Sequence, residues 1–238
     1  MSYQWLTLWG YVPDFLQAGW LTLQVTVLSF VLAIVLGLAT ALAGASPSSL
    51  LRFTARGYVE IIRNTPVLLQ IFIVFFGLPS AGVSLNAYWA GVIALGLNVG
   101  AYLSEVFRAG IASVPRGQIE AAGILGLDPA QIFMNVVLPQ AARAVYPAIV
   151  NYLIQLLLGT SLLSAIALPE LTGTATVINS RTLLYIQTFA VTLLAYLVLS
   201  NLLSWLADQL GARIFRPPLA TRRRARFGGF AMRRANRV

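Results

Sequence analysis

Three polar side chains share one face of a predicted helix. Asn98, Tyr102 and Glu105 are separated by four and three residues within a largely apolar stretch, a spacing that stacks side chains along a single helical stripe. Glu105 could bind the ammonium group of a zwitterion, and neighbouring amides could bind its carboxylate. Because ionisable groups at membrane depth are costly and usually face a pathway or a partner, we interpret the stripe as a candidate path for a polar solute.

Further polar residues in other apolar stretches extend this candidate path. Asn151, Gln155 and Thr160 lie on a later stretch, on less well aligned faces. Gln70 follows Pro66, a residue type that interrupts helices because it lacks a backbone N–H. The complete predicted path consists of Gln70, Asn98, Tyr102, Glu105, Asn151, Gln155, Thr160 and Ser161.

Some of the acidic residues have a second interpretation. Glu105 precedes Arg108, and Glu60 precedes Arg63, by the three positions that suit an ion pair along a helix. For Glu105 the solute-binding and structural interpretations both remain open, whereas for Glu60 a structural pair is favoured. Glu170, in a predicted outer loop, is interpreted as a contact for another protein or as a loop cap.

The residue types that the chain lacks exclude most catalytic chemistry. Among its 238 residues there is no His and no Cys, and all 16 basic residues are Arg. Without Lys there is no phosphate-binding loop of the GxxxxGK[ST] type and no Schiff base. Without His or Cys, a usual zinc site, a Ser-His relay and a thiolate nucleophile are excluded. Since Asp14, Asp128 and Asp208 all lie away from mid-membrane depth, an intramembrane Asp dyad is excluded too, and we predict no catalytic or metal-binding residue.

The composition indicates an integral membrane protein. Hydrophobic residues make up 58% of the chain and charged residues 10%, with a mean hydropathy of +0.80, whereas a soluble domain carries about a quarter charged residues. The net charge of +9 could suggest nucleic acid, but the cations punctuate apolar runs instead of covering a solvated face. Nucleic acid is therefore not an expected partner.

Five apolar stretches are long enough to cross roughly 30 Å of hydrocarbon as helices of about 20 residues. Two of them contain internal prolines, Pro66 and Pro147, and are expected to be interrupted there. The predicted fold class is all-α and integral to the membrane, with five transmembrane helices. The predicted spans lie near residues 19–44, 60–79, 87–112, 144–167 and 183–210.

The positions of Arg predict the orientation, since cytoplasmic loops carry the excess of basic residues. Arg52 and Arg56 follow the first span, Arg116 and Arg143 lie between the third and fourth, and nine Arg follow the fifth. We therefore expect the amino terminus outside and the carboxyl terminus in the cytoplasm. The absence of a basic residue before Arg52 argues against a cleaved signal peptide.

The chain divides into a transmembrane domain, residues 1–212, and an Arg-rich tail, residues 213–238. The tail has almost no apolar periodicity, so we expect it to be disordered in the cytoplasm. Its cations are expected to bind anionic lipid headgroups, each contributing about 1 kcal/mol near the surface. A regulatory role is the alternative.

A polar stretch between the third and fourth spans, residues 114–142, predicts two short helices joined by a turn. The first covers about residues 116–125 and ends at Gly126, which readily adopts a left-handed conformation. Asp128 then has the position of an N-cap, with Pro129 at the first helical position and Gln131 as its capping-box partner. The alternative is an amphipathic helix lying on the membrane, which would account for the apolar side chains but not for the stiff turn.

At this loop the sequence resembles a known family. The Glu-Ala-Ala run at 120–122, Gly126 and the run at 136–139 resemble, at their characteristic spacing, the EAA loop of ABC importer permeases. The stretches 63–70, 101–108, 160–162 and 169–172 are similar to the polar amino-acid uptake group of these permeases. The resemblance implies that the loop couples a permease to its ATPase. The predicted coupling residues are Glu120, Ala121, Ala122, Gly126, Leu138 and Pro139.

The resemblance also implies the fold, the partners and the function. The expected fold is that of a type I ABC importer permease, with five spanning helices and a cytoplasmic helix-turn-helix coupling loop. The expected partners are a second permease, identical or a sister chain, two ABC ATPase subunits that bind ATP and Mg, and an extracytoplasmic solute-binding protein. The expected function is import of a polar amino acid across a bacterial cytoplasmic (inner) membrane, and this chain itself is expected to bind no cofactor.

Two observations bear on the alternatives. A secondary transporter or channel, driven by an ion gradient, would be expected to contain inverted repeats, and the two halves of the sequence show no convincing similarity. Many relatives carry an acidic residue and a Lys where this chain has Tyr152 and Leu158. This departure disfavours a cationic substrate and slightly favours an uncharged or acidic amino acid.

Overall fold

The computed structural model describes residues 2–215, which form helices joined by short turns and contain no β-strand. A π-helical turn at Ile73–Gly77 and a 3-10 turn at Leu78–Ala81 extend the helix Val67–Phe72. A second π-helical turn, Phe133–Val137, joins the helix Pro129–Ile132 to the helix Leu138–Gly159, and a 3-10 segment, Thr160–Ile166, follows. The helices are α1 (Ser2–Trp9), α2 (Val12–Ala45), α3 (Ser49–Arg63), α4 (Val67–Phe72), α5 (Ala87–Ala112), α6 (Arg116–Ile124), α7 (Pro129–Ile132), α8 (Leu138–Gly159), α9 (Leu171–Thr182) and α10 (Tyr185–Ile214).

Within residues 2–215, four helical runs are long and apolar enough to cross a membrane: α2, α5, the run from α7 through α8 to residue 166, and α10. A fifth candidate crossing consists of α3 and the segment 67–81, which meet at a bend of 109°. The predicted all-helical membrane fold is therefore confirmed. The predicted second span, residues 60–79, needs correction because residues 60–63 belong to α3 and the apolar part begins at Val67. The break falls where Pro66 lacks an N–H and forces the preceding residue out of the helical region.

The packing of α2 against α5 shows why the segment 67–81 must cross back. Val25 and Val92 share one buried cluster, and Ala33 and Val99 share the next. Residue numbers rise together along the two helices, so α2 and α5 run parallel. Two parallel spans require the chain between them to return across the bundle, and 67–81 is the apolar segment available to do so.

The contact between α5 and α8 is close and antiparallel. At one end Gly110 faces Val145, and further along Leu103 and Leu156 share a buried cluster. A Cβ atom added to Gly110 would lie 2.1 Å from Cγ1 of Val145, so only glycine permits this approach. Small residues at crossings of this kind allow membrane helices to pack backbone to backbone.

Two predictions about the fourth span are wrong. Pro147 does not interrupt it, because α8 is continuous from Leu138 to Gly159 with the proline inside. Nearby groups in a helix bundle can satisfy the carbonyl that a proline frees. The second short helix of the 114–142 loop is not separate either, since α7 continues through the π-helical turn into α8.

The last spanning helix, α10, extends to Ile214 and so includes Arg213, the first residue of the predicted tail. The predicted disorder of the remainder, residues 216–238, lies outside the described residues. Between α8 and α10 the chain forms α9, a short helix that the sequence did not predict. It packs on the beginning of α2, where Leu171, Ala175 and Phe15 share a buried cluster.

Candidate functional site

A cavity of about 300 Å³ lies among α4, α5 and α8. Its polar lining consists of two amides, Asn98 and Gln155, and two phenols, Tyr102 and Tyr152. We call it the inner cavity. No charged side chain lines it among the described residues. The apolar lining consists of Val67, Leu95, Val99, Leu156, Gly159 and Leu162.

A hydrogen-bonded amide pair joins Asn98, in the lining of the inner cavity, to Gln70. The Asn98 amide donates a 3.0 Å hydrogen bond to Oε1 of Gln70. The Gln70 amide in turn donates to the Ile62 carbonyl and to Oγ1 of Thr65, both at 2.8 Å. Gln70, which is 8% exposed, therefore joins the bend around Pro66 to the middle of α5.

Two stacked tyrosines form another part of the lining. The rings of Tyr102, from α5, and Tyr152, from α8, lie 5.7 Å apart between centroids with an interplanar angle of 27°. The guanidinium of Arg63 lies over the Tyr102 ring, 5.4 Å from its centroid, within reach of a cation–π interaction. The pair thus brings an aromatic surface and a nearby cation to one edge of the cavity.

Glu105 lies next to this edge and forms ion pairs instead of lining the cavity. One partner is Arg108, one turn later on α5. The other is Arg63 on α3, with 4.0 Å between Nη1 and the carboxylate. The predicted Glu60–Arg63 pair is absent from the described residues. Arg63 turns towards Glu105, and Glu60 accepts a hydrogen bond from Asn64.

The other predicted path residues lie apart from the inner cavity. Thr160 is fully buried and its hydroxyl donates to the Leu157 carbonyl at 2.7 Å. Ser161 donates to the Leu158 carbonyl, also at 2.7 Å. Asn151 is exposed on α8 and does not contribute to the lining. The structure therefore brings Gln70, Asn98, Tyr102 and Gln155 together, with Glu105 adjacent, and leaves these three elsewhere.

The turn of the 114–142 loop has the predicted geometry. Gly126 has a φ of +83°, the left-handed conformation that ends α6. Asp128 caps α7: its carboxylate accepts from the Gln131 N–H at 2.9 Å, and the Gln131 side chain accepts from the Asp128 N–H at 3.0 Å. Both predicted halves of the capping box are therefore confirmed, together with Pro129 at the start of the helix. We call residues 114–142 the hairpin.

The hairpin has a small core of its own and an exposed apolar tip. Val114, Val137 and Ala141 are buried together, and Gln140 donates a 2.7 Å hydrogen bond to Gln118 across the base. Ile124 and Leu125, by contrast, are 88% and 81% exposed. Apolar side chains exposed together on an ordered turn indicate a surface for another protein. Of the predicted coupling residues, Ala122 is buried, whereas Glu120, Ala121, Gly126, Leu138 and Pro139 are exposed.

Glu170 is a loop cap rather than an external contact. The residue is fully buried at the start of α9, where its carboxylate accepts from the N–H groups of Thr172 and Gly173 at 3.0 and 2.8 Å. The hydroxyl of Tyr196 on α10 donates to it at 2.6 Å. Burial raises the pKa of Glu170 above its ordinary value, although these three hydrogen bonds act in the opposite direction.

The sequence pattern did not indicate Arg63 or Tyr152 as parts of this site. Each reaches Tyr102 from a different helix, and no periodicity within one helix predicts such a contact.

Comparisons with known proteins agree with this architecture. Residues 33–216 match the family model described as "Binding-protein-dependent transport system inner membrane component". The chain is 44% identical to the L-cystine transport system permease protein TcyB of Bacillus subtilis, over 68% of this chain and 69% of that protein. It is 35% identical to the arginine transport system permease protein ArtQ of the same organism, over 82% of this chain and 90% of that protein.

A solved structure shows the same fold. The "Crystal structure of an amino acid ABC transporter with histidines" superposes with a TM-score of 0.82 at 34% identity, over 88% of this chain and 98% of that one. The expected type I importer fold and the resemblance of the 120–139 region to the EAA loop are thus confirmed, and ATP hydrolysis belongs to a separate subunit. The chain belongs to the binding-protein-dependent inner membrane components and is the multi-pass permease subunit of an ABC importer.

Proposed function

We propose that this permease imports a polar amino acid with an uncharged side chain through the inner cavity. The observation that carries the proposal is the lining, in which the polar groups are amides and phenols. The relatives named for cystine and arginine transport, and the transporter with histidines, support amino acids as the substrate class. The preference for a substrate with an uncharged side chain is inferred from the lining of this chain's own cavity.

The chemistry of the lining favours a neutral side chain. An ionised group moved out of water into such a cavity loses its hydration, and only an opposite charge would compensate for the loss. Asn98, Gln155 and the two phenols can instead exchange hydrogen bonds with amide, hydroxyl or peptide-like groups. Arg63 and Glu105 pair with each other beside Tyr102, so their charges lie at the edge of the cavity and not in its lining.

The hairpin supports coupling to an ATPase. Its tip at Ile124 and Leu125 is exposed, and the hairpin is continuous with α8, which lines the inner cavity. A displacement of the tip can therefore be transmitted directly to the lining. We propose a complex of two ATPase subunits, which bind ATP and Mg, and two permeases, identical or sister chains, since each permease carries one hairpin.

The position of the Arg residues supports an orientation in the inner membrane with the hairpin in the cytoplasm. In this orientation the start of α2 and all of α9 face outward, where an extracytoplasmic binding protein would deliver the amino acid. The amino terminus then lies outside and the carboxyl terminus in the cytoplasm.

Uptake by the reconstituted complex tests the proposal. Permease, ATPase and binding protein are placed in proteoliposomes, and uptake of L-glutamine, L-serine and L-cystine is compared with that of L-arginine and L-glutamate. We expect ATP-dependent uptake of at least one neutral amino acid and a loss of about tenfold or more in Asn98→Ala. Uptake by the permease alone under a proton or sodium gradient would contradict ATP coupling, and preferred uptake of arginine or glutamate would contradict the substrate class.

A further inference from the structure

A second and larger cavity lies at the end of the molecule opposite the hairpin. It has a volume of about 440 Å³, and it lies between the first turns of α2 and the helix α9. This volume falls within the range of ligand pockets, about 300–1,000 Å³. The cavity is separate from the inner cavity, with which it shares no lining residue. We call it the outer cavity.

The two walls of the outer cavity carry opposite charges. On α2, Asp14, Gln17 and Gln24 lie on one face, at spacings of three and seven residues. On α9, Thr174 and Arg181 are separated by seven residues and also share a face. Asp14 is thus the one anion and Arg181 the one cation among the described lining residues.

These polar groups are available to a ligand. Within residues 2–215, the side chains of Asp14, Arg181, Gln17 and Gln24 form no hydrogen bond or ion pair with another residue. Asp14 and Arg181 thus face one cavity without pairing. By contrast, Glu105 forms ion pairs with Arg63 and Arg108. A single anion or cation would meet a like charge on one wall, whereas a molecule carrying both charges would meet two opposite ones.

The walls are held in a defined arrangement. Ala18 and Ile178, at the base of the cavity, are each 2% exposed and belong to the same buried cluster. The Leu171 N–H donates a 3.3 Å hydrogen bond to Oγ1 of Thr22, which joins the start of α9 to α2. The Glu170 cap fixes the same end of α9 to α10. A site with fixed walls loses little conformational entropy on binding.

We propose that the outer cavity binds the zwitterionic head group of an amino acid before it reaches the inner cavity. Asp14 binds the α-ammonium group, Arg181 binds the α-carboxylate, and the amides of Gln17 and Gln24 contact the side chain. Because all α-amino acids share the two charged groups, this site recognises the head group, whereas the inner cavity selects the side chain. The inference rests on the proposed function as an amino-acid permease.

Binding to the full-length permease in lipid nanodiscs, without ATPase or binding protein, tests the inference. Radiolabelled L-glutamine is the ligand, and glycine, N-acetylglycine and glycine methyl ester are competitors. We expect glycine to displace the label, and both blocked forms, each lacking one charge, to compete at least tenfold less well. Equal competition by the blocked forms would overturn the proposal without any mutation that could disturb folding.

Variants then locate the site. Asp14→Asn and Arg181→Gln should each weaken the glycine-displaceable binding at least tenfold, whereas Arg56→Gln, an exposed change on α3, should leave it unchanged. Unaltered glutamine binding in both outer-cavity variants would overturn the inference, and weaker association of the binding protein in them would then assign the charges to protein docking. Failure of ATP-driven uptake would count against the proposed function alone, because this assay contains no ATP.

Discussion

The side-chain amide of Asn98 donates its hydrogen bond to Gln70, 28 residues earlier in the chain. Gln70 also binds the Ile62 carbonyl and Thr65, so a single amide pair connects the bend between α3 and α4 with α5. The same Asn98 lines the inner cavity. The arrangement means that the bend and the cavity share one hydrogen-bond network, and a change at either side of the pair alters both.

Replacement of Gln70 by Ala should destabilise the permease. It leaves the Ile62 carbonyl and the Asn98 amide, which are both partly buried, without their partner. Since an unsatisfied polar group that is fully buried costs about 1–3 kcal/mol, we expect a loss towards the lower end of this range. The measurement is the Tm of the purified full-length permease. Gln155→Ala is the matched control: Gln155 also lines the inner cavity but has no hydrogen bond with another described residue, so its loss should reduce transport with little change in Tm. Equal Tm values for the two variants would contradict this role of Gln70.

Replacement of Gly126 by Ala should weaken the turn of the hairpin. At a φ of +83°, a Cβ atom costs roughly 1–2 kcal/mol, and since nothing lies within 4 Å of it the cost is conformational alone. Gly123→Ala is the control, because it adds the same methyl group in equally open space inside α6 and should slightly stabilise the helix. Hydrogen exchange of the hairpin amides should be faster in Gly126→Ala and unchanged or slower in Gly123→Ala. The reverse order would show that the turn does not depend on Gly126.

Ile124→Asp and Leu125→Asp should each disrupt binding of the ATPase. The side chains of Ile124 and Leu125 are almost fully exposed in the permease, so their replacement should leave the Tm unchanged while placing a charge in an apolar interface. We expect at least tenfold weaker ATPase association, measured by pull-down titration, and a matching loss of uptake. Asn135→Ala, an exposed change on the π-helical turn, is the control. Full ATPase association in both Asp variants would place the interface elsewhere.

Replacement of Glu170 by Gln should change how stability depends on pH. The raised pKa of Glu170 means that the folded protein holds this proton more tightly than the unfolded chain. The tighter proton binding of Glu170 therefore contributes fully to the free energy of unfolding below the unfolded pKa, about 4.3. This contribution is lost as the pH rises through the pKa of the folded state. Measured from about pH 4 upwards, the Tm of the wild type should decline relative to that of Glu170→Gln. A constant difference between the two would show that the carboxyl pKa is not raised by folding.

Replacement of Tyr196 by Phe tests the partner of this carboxylate. Hydrogen bonds to charged groups contribute about 1.5–3 kcal/mol, and the change removes the 2.6 Å donor to Glu170 while retaining the aromatic ring. We expect a lower Tm at neutral pH. In the double variant with Glu170→Gln the additional loss should be smaller, since the acceptor no longer carries a charge. Additive losses would indicate that the two residues act independently.

Much of the fold and the whole turn of the hairpin could be predicted because their signals are local. Apolar stretches of spanning length placed the membrane helices, and Gly126, Asp128 and Gln131 specified a helix end and a capping box within six residues. Local signals were insufficient where a helix could continue: the sequence suggested breaks at both Pro66 and Pro147, and only the first occurs. At Pro66 the chain changes direction by 109°, whereas at Pro147 the helix continues within α8.

The sequence by itself determined that this is a helical membrane protein without Lys, His or Cys side chains, and that its polar loop forms a capped hairpin. Tertiary structure alone decided which polar residues come together: Asn98 binds Gln70, Tyr102 stacks on Tyr152, Arg63 pairs with Glu105, and Asp14 and Arg181 line one cavity. The physical reason is that each pair joins different helices. Such contacts depend on the rotation and register of one helix against another, which close packing at positions such as Gly37 and Gly110 sets, and no spacing within a single helix contains that information.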